Sequence, residues 1–587
     1  MPVFQLDVGP GTGISWPGHL KDHPVDAYFI WADLTAIRNR RHARSRYPFL
    51  IRSKASAPHP FYSREMSAKG VERAMRNGDR ACFLSTKVPS VGGYGPYLPS
   101  AGLSAAGSNE VAPLCVGVID DKFPVLSSRY GANPIRLWDQ GQPGAGPQAS
   151  GFGYGYGRHF DLPVAGRPAE SAPNYQSMGL WSPLRAGISH GAHVLDVLVG
   201  DRPLFGSPPL RQGPRGAALT APLVLVQLPQ KTVADVSGGS LRNFALDAVS
   251  YIIKASRSMG AEKTVICMPY GTLAGPHNGT SLFEQALDHM LAGSPGVSLV
   301  LPAGNGHLSE THAIAEIQPQ KSVSLCMRVP PDNARDSYVE LWLPLDAEAR
   351  VECRSPSGDH LSVTPGSAQF ASDPARVGCS LIYPRQAANA EGLTMVLLAI
   401  SATSPASPAY GGAPHGDWTL SVSNLGKTPL AFDAWIQRSG QPFGFPQGAR
   451  QSRWIDRPGC LAPEPLNTIS AMATGSQPRL ATASYAASRY QSGALCPYSP
   501  AVGPTATRRP APYHAEESPA LPGLLARGTL GRRIYRMNGT SVAAALMARD
   551  LATHPIPSIM PAPPPGKPPS RKPRGQSKRF ADLSARR

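Results

Sequence analysis

Four short segments of the 587-residue chain carry side chains able to do acyl-transfer chemistry: VGVIDD at 116–121, SHGAHV at 189–194, LPAGNG at 301–306 and NGTSVAAA at 538–545. A serine hydroxyl is a poor nucleophile until a base takes its proton, and the base needs an anion to orient it and stabilise its charged form. Asp120 at a strand end, His190 at a helix start and Ser541 at another helix start are the parts of such a relay. A nucleophile that opens a helix also aims its own N–H at the developing oxyanion, with the helix dipole behind it. The Asn305 side chain, presented by an Ala-Gly-Asn turn, supplies a second donor. Taken singly, each residue has a plainer reading. His190 and His193 at i, i+3 could be a pair of metal ligands or ordinary polar residues on a helix. Asp120 could be a strand-end cap, and Asn305 a turn residue suited to left-handed backbone.

The elements that must position these groups alternate. Continuous apolar runs at Leu114–Asp120, Ala221–Leu228, Thr264–Pro269 and Val297–Pro302 read as parallel strands buried on both faces. Helical patterns lie between them at His190–Val199, Ser240–Met259 and Thr280–Ala292. In Leu241–Ile253, apolar residues at 241, 244, 245, 248, 249, 252 and 253 follow the i, i+3, i+4 rule. Strand–helix alternation implies an α/β domain with a mainly parallel sheet, whose sites form at the carboxyl ends of the strands. From about 313 to 440 the helical pattern stops. SYVELWLP, ARVECRSPSG, LTMVLLAIS, GDWTLSVSN and LAFDAWIQR are short alternating strands, the pattern of a β-sandwich. The mixed texture returns over 465–554 and ends in a small-residue helix, Ser541–Leu551. Residues 1–110 show weak periodicity, with one helix-like stretch from Ser63 to Arg76.

Taken together and in this order, the four segments resemble the subtilisin-like serine proteases (subtilases), whose chain order is Asp, His, Asn, Ser. VGVID is similar to the family's acid strand, SHGAHV to its His-Gly-Thr-His-Val motif, PAGNG to its oxyanion segment and NGTSVAA to Gly-Thr-Ser-Met-Ala. The resemblance therefore implies Asp120, His190 and Ser541 as catalytic triad and Asn305 as oxyanion donor, with His193 a structural neighbour. VICMPYG at 265–271 resembles the substrate-binding strand, and PYSPAVGP at 497–504 the Tyr-Ser-Ser-x-Gly-Pro segment. An extended substrate would pair with Met268, Pro269, Tyr270 and Gly271, facing Ser237, Gly238 and Gly239, with Ala303 and Gly304 beside the oxyanion site. The implied architecture is a subtilisin-like three-layer sandwich interrupted by an all-β, jelly-roll-like insertion. Its parts are an N-terminal region at 1–110, open to a propeptide role; a catalytic domain in two parts, 111–312 and 441–554; the insertion at 313–440; and a Pro-rich basic tail at 555–587. The departures are Ala192 for Thr, Ala545 for Pro, Pro269-Tyr270 for Ser-Leu, and Asp121 for Ser or Thr, which makes Asp121 a second candidate for the acid.

Two decoys test the reading. A second Asn-Gly-Thr-Ser at 278–281 precedes Leu-Phe-Glu-Gln, so Thr280 or Ser281 reads as the N-cap of an amphipathic helix. Gly187-Ile188-Ser189-His190-Gly191 fits the nucleophile elbow of α/β-hydrolase esterases, but no buried strand precedes it. Against an enzyme stands a catalytically silent subtilase scaffold, whose tell would be a missing triad member; all are present.

Composition narrows the classes. With 41% hydrophobic residues the chain is globular, and its 59 Gly and 63 Pro imply extensive loops. Most of the net charge of +18 sits in two basic segments, 38–54 and 561–587, so the near-neutral remainder argues against a nucleic-acid-binding core. There is no signal-like N-terminus and no run long enough for a membrane span. Eight scattered cysteines without a Cys-x-x-Cys pair imply a reduced, cytoplasmic protein, with Cys353 and Cys379 as candidate partners. The chemistry requires no cofactor and no catalytic metal, and the sequence leaves structural calcium open. The partner expected is a protein or peptide substrate.

Overall fold

Apolar runs that end in polar residues become the strands of a computed structural model, which describes four strands within 3–83 and most of 113–553. Between 113 and 553 the residues not described are 145, 147–153, 181–186, 201–219, 235, 237, 239–240, 373–376, 384–392, 406–411, 441–450, 487–492, 503–507, 517 and 530–533. The tail at 555–587 lies outside the described residues.

The N-terminal strands are β1 (Val3–Asp7), β2 (Tyr47–Arg52), β3 (Phe61–Met66) and β4 (Arg80–Phe83). β3 and β4 pair antiparallel with β2 on either side, with Tyr62 opposite Ile51. This corrects the helix expected from Ser63: its first residues are strand, where ladder pairing and the β-favouring Phe61-Tyr62 outweigh the helical spacing. The remainder of that stretch lies outside the described residues.

The run from Leu114 opens the main sheet: β5 (Leu114–Asp120), β6 (Ile135–Asp139), β7 (Arg158–Leu162), β8 (Leu223–Gln227), β9 (Lys263–Cys267) and β10 (Val297–Pro302). Helices α1 (His190–Val199), α2 (Leu241–Ser258) and α3 (Leu282–Ala292) lie between these strands in sequence. A second group follows: β11 (His312–Ile317), β12 (Ser322–Val329), β13 (Ser337–Pro344), β14 (Ala349–Arg354), β15 (His360–Val363), β16 (Ser367–Ser372), β17 (Val377–Tyr383), β18 (Leu393–Ile400), β19 (Gly416–Asn424), β20 (Leu430–Ile436) and β21 (Arg453–Trp454). The chain then returns through β22 (Arg479–Tyr485), β23 (Ala511–Glu516), the hairpin β24 (Leu524–Arg527) and β25 (Ile534–Met537), and helix α4 (Thr540–Thr553).

The main sheet has eight strands in the order β23-β22-β10-β9-β5-β8-β6-β7, parallel except for β7. Strand order reverses around β5, the switch point at which α/β sheets open a crevice beyond their carboxyl ends. Period-2 alternation along β5 sends Val116 and Val118 to the face covered by α1 and α4, and Cys115 and Ile119 to the face covered by α2 and α3. Asp120 continues the first set, which carries its side chain toward α1 and α4. Gly117 points at α2, where an added Cβ would come within 2.6 Å of Ile252 Cγ2.

The second group forms two antiparallel sheets, β1-β16-β17-β18-β13-β20-β11 and β15-β14-β19-β12-β21, with an apolar core drawn from both. Here β1 pairs with β16, placing Val3 opposite Ala371, and β21 pairs with β12 beyond residue 440. Cys326 of β12 forms a disulfide with Cys460, which corrects the expectation of a wholly reduced chain, while Cys353 and Cys379 are buried free thiols. The contact with the α/β layers centres on Trp435, stacked between His277 at 3.6 Å and His312 at 3.8 Å. The His277 ring nitrogens lie 2.7 Å from the Ile469 carbonyl and 3.0 Å from that of Leu273. Beside it, the Glu340 carboxylate accepts from the Gly275 N–H (2.8 Å) and from the Trp342 indole (3.0 Å). Among the described residues no helix is long and apolar enough to cross a membrane.

The close approach of β5 and α2 predicts that Gly117→Val overpacks this layer, costing about 1–3 kcal/mol. Thermal unfolding monitored by circular dichroism should show a correspondingly lower midpoint.

Candidate active site

Asp120 ends β5 fully buried, and both of its carboxylate oxygens lie 2.9 Å from His190 Nδ1. An ionised carboxylate only accepts, so Nδ1 carries the proton and Nε2 is the basic nitrogen. His190 is the first residue of α1. Gly191 lets the two elements meet, since a Cβ there would sit 2.7 Å from the Lys122 carbonyl and 2.8 Å from Asp120 Cβ. Ser189 is the N-cap, accepting from the Ala192 N–H at 3.0 Å and donating to the Lys122 carbonyl at 2.9 Å. It is a capping residue, not a nucleophile elbow.

Asp121 lies over the same helix start. It accepts from the N–H groups of Gly191 (2.7 Å) and His190 (3.3 Å) and lies 3.1 Å from Ser189 Oγ. Its carboxylate thus engages the backbone of α1, whereas Asp120 engages the ring. Tyr270 closes the other side: its ring centroid is 5.6 Å from that of His190 and its hydroxyl reaches Asp120.

Burial pushes the Asp120 carboxyl up to about 6, against the charge and hydrogen bond of His190, which hold it down. Burial alone would lower His190, but the Asp120 charge and hydrogen bond, with Asp121 behind them, outweigh it and raise the imidazole above its ordinary value. The two groups share one strongly held proton and titrate as a pair. His193 is the opposite case. Burial lowers it to about 4, its Nε2 lies 2.9 Å from the Leu524 carbonyl, and it is a neutral structural residue.

Ser541 sits in the first turn of α4, 9% exposed, and its Oγ donates to the Pro269 carbonyl at 2.9 Å. The structure therefore joins Asp120 to His190 directly and brings Ser541 to the end of the neighbouring strand β9 through Pro269, whose next residue, Tyr270, packs on His190. Asn305 Oδ1 accepts from both the N–H and the hydroxyl of Thr540 at 2.9 Å, which fixes the amide and leaves Nδ2 as its donor end. The Thr540 hydroxyl in turn accepts from the Gly304 N–H at 3.1 Å. Gly539 is required here: its φ is +117°, and a Cβ would lie 3.2 Å from Asn305 Nδ2. The Tyr498 hydroxyl accepts the Gly539 N–H at 2.9 Å.

The expected substrate strand is partly engaged within the chain. The Met268 N–H donates to Val300, and the Ala303 carbonyl accepts from Ser470 while its N–H donates to Ala481. Pro269 offers a carbonyl and no N–H. At Gly271 a Cβ would press on Ser470 Oγ at 2.7 Å. Gly238, with φ +72°, lies against Thr272; Ser237 and Gly239 are outside the described residues. Ser281 is the N-cap of α3, its Oγ accepting from the Glu284 N–H at 3.2 Å and donating to Glu284 Oε2 at 2.8 Å. Sequence reasoning passed over Thr540, Ser470 and the reach of Tyr270 to Asp120; of these only Thr540 was signalled, by its place between Gly539 and Ser541. Among the described residues there is no cluster of three His, Cys, Asp or Glu side chains arranged to hold a metal ion.

No family model matches this sequence, and no curated protein matches it. Among solved structures, the chain is similar to the Clostridium perfringens CspB protease at a TM-score of 0.52 and 17% identity, over 75% of this chain and 82% of that one. The fold is that of the CspB protease. Weaker likenesses are the PatG macrocyclase in complex with peptide (TM-score 0.17, 14% identity, 33% of this chain and 53% of that) and the Bacillus licheniformis lipase BlEst2 in propeptide form (0.17, 12%, 59% and 79%).

The charge balance of the buried pair sets a measurable value. In an NMR titration His190 should have its midpoint above 6.5, so that the base form gains ground only as pH rises past that value. In Asp120→Asn, with burial left unopposed by a full charge, the midpoint should drop below 6.5, while His193 stays neutral until about pH 4.

Proposed function

We propose that the protein is a serine endopeptidase acting through Asp120, His190 and Ser541, with Asn305 and the Ser541 N–H as oxyanion donors. The observation that carries this reading is the pairing of the buried Asp120 with His190 at the sheet's switch point, with Ser541 in the first turn of α4 bonded to the Pro269 carbonyl, one residue from the Tyr270 ring that packs on His190. Two features add support: the fold shared with the CspB protease, and the Asn305 amide anchored on Thr540, next to the nucleophile. All the sandwich strands except β1 fall between Asn305 and Ser541 in the sequence, and we read β11–β21 as a jelly-roll-type insertion. We read residues 1–110 as a region whose inhibitory role would be tested by a shortened chain beginning near Asn109.

In the resting site the Ser541 hydroxyl is satisfied by the Pro269 carbonyl. An extended substrate that donates its own N–H to that carbonyl releases the hydroxyl toward His190. Oγ then attacks the scissile carbonyl carbon as its proton passes to His190 Nε2, and Asp120 stabilises the imidazolium. The oxyanion forms against Asn305 Nδ2 and the Ser541 N–H. His190 returns the proton to the departing amine, leaving an acyl-enzyme. Water repeats the cycle, giving the carboxylic acid and free Ser541. The tie to Pro269 is also the one feature that favours a second reading, a catalytically silent scaffold.

A fluorophosphonate discriminates these readings, because it reacts with a serine only where a base and an oxyanion hole act together. One labelled peptide containing Ser541 is expected, with labelling slowed by several orders of magnitude in His190→Ala. Folded protein that takes no label, with or without residues 1–110, would establish the scaffold; a label on Ser189 would establish an esterase.

Asn305→Ala should lower kcat by ~10²–10³ through loss of one oxyanion donor, with KM held within a few-fold. The same variant should lose roughly 1 kcal/mol of stability, because the Thr540 N–H and hydroxyl lose their acceptor.

A further inference from the structure

An open cleft of about 430 Å³ lies against Asn305 and Asn538, with Tyr485, Tyr498 and Glu516 among its lining residues. Its position follows from strand order. β10, which delivers Asn305, runs between β9 on one side and β22 on the other. The β9 end carries the Pro269 carbonyl, the seat of the acyl half of a substrate. Tyr485 ends β22 and Glu516 ends β23, so this cleft flanks Asn305 from the opposite side. A peptide whose scissile carbonyl sits at Asn305 therefore lays its leaving half over the β22–β23 end.

Glu516 is only 2% exposed, and its Oε1 is buried with no hydrogen-bond partner. Tyr498 and Cys496 hydrogen-bond to the carboxylate, and the Glu516 carbonyl accepts the Ala486 N–H at 2.7 Å, which fixes the residue. A carboxylate oxygen out of water and without a donor is costly, and a cation that reaches it offsets that cost. The cleft's described lining includes no Lys, Arg or His. It does include two tyrosine rings, and aromatic faces attract ammonium and guanidinium groups. Pro497, Pro519 and Pro522 stiffen the walls.

We propose that this cleft is the subsite for a lysine or arginine side chain in the leaving-group half of the peptide substrate, with Glu516 as its counter-charge. This rests on the peptidase reading for its placement along the substrate. A purely structural role for Glu516 has a different signature. Through Tyr498 the carboxylate connects to the Gly539 N–H, two residues before Ser541. Loss of that support would weaken all substrates alike, whereas loss of a counter-charge changes the ratio between basic and neutral ones.

The test is capture of a random decapeptide library, with norleucine included among its building blocks, on full-length Ser541→Ala protein, read by mass spectrometry. Lysine and arginine should be enriched at least tenfold over norleucine at one position, and the enrichment should vanish in Ser541→Ala/Glu516→Gln. Digestion of the same library by the unmodified chain should place that basic residue within the first residues of the newly formed N-termini. Absence of basic enrichment on Ser541→Ala protein, including absence of any capture, overturns the proposal without recourse to a variant at 516. So does an enrichment that survives Glu516→Gln. Fluorophosphonate labelling of Ser541 reports separately on the peptidase reading: labelled protein with no basic preference sinks this inference alone. Basic enrichment without labelling sinks the catalytic reading and leaves a cation-binding cleft.

Discussion

A carboxylate buried at the end of the central strand, and paired there with an imidazole, is the constraint around which the α/β layers are arranged. Asp120 has no exposed surface, so its charge is tenable only with donors close at hand. His190 supplies one at 2.9 Å, and the Asp121 N–H adds another at 2.7 Å. To bring the ring that close, α1 must begin hard against the end of β5, which only a glycine at 191 permits. Asp121 and Ser189 then tie the helix start to the segment after β5. The neighbouring strand contributes Tyr270 as the lid over the pair. Each of these contacts is local in space and serves one end, a single tautomer in a single orientation.

The Ser541 side has a separate support. Asn305, Thr540, Gly304 and Gly539 form one hydrogen-bonded knot, in which the asparagine's oxygen is committed to Thr540 and its nitrogen is thereby aimed. Small residues after Ser541 let the first nine residues of α4, Thr540–Ala548, run buried against β9, β10, β22 and β23, so the helix start has little freedom to drift. The two supports meet at the Pro269–Tyr270 step. Pro269 holds Ser541 and Tyr270 packs on His190, so adjacent residues beyond the end of β9 contact both Ser541 and the Asp120–His190 pair.

Much of this was legible in the residues, for reasons that are local. Leu114–Asp120 and Val297–Pro302 are continuous apolar runs with a polar or Pro stop, and the strands occupy those same bounds. His190–Val199 was readable because Ser189 is an N-cap and Gly200 a stop. The alternation in GDWTLSVSN survives as a strand with every second residue buried. What was not legible depends on partners far away in sequence. Cys326 and Cys460 stand 134 residues apart, and the pairing of β12 with β21, with the Leu461 N–H on the Ser324 carbonyl, brings their segments together. The stretch from Ser63 carried a helical spacing that β2 overrides by offering a ladder. Thr540 as the anchor of Asn305 joins residues 235 apart in the chain, and no spacing rule reaches that far.

The stacking of Trp435 between His277 and His312 has a consequence for how this architecture can change over time. His277 belongs to the segment that leaves β9 toward α3, and its ring nitrogens lie against carbonyls of the strand-end loops at Leu273 and Ile469. A sandwich exchanged for another by recombination would therefore withdraw an indole from the turn that follows β9 and the Pro269–Tyr270 step. A substitution at Trp435 or Glu340, though made in the sandwich, therefore acts on the segment between β9 and α3, because the indole stacks on His277 and the carboxylate holds the Gly275 N–H.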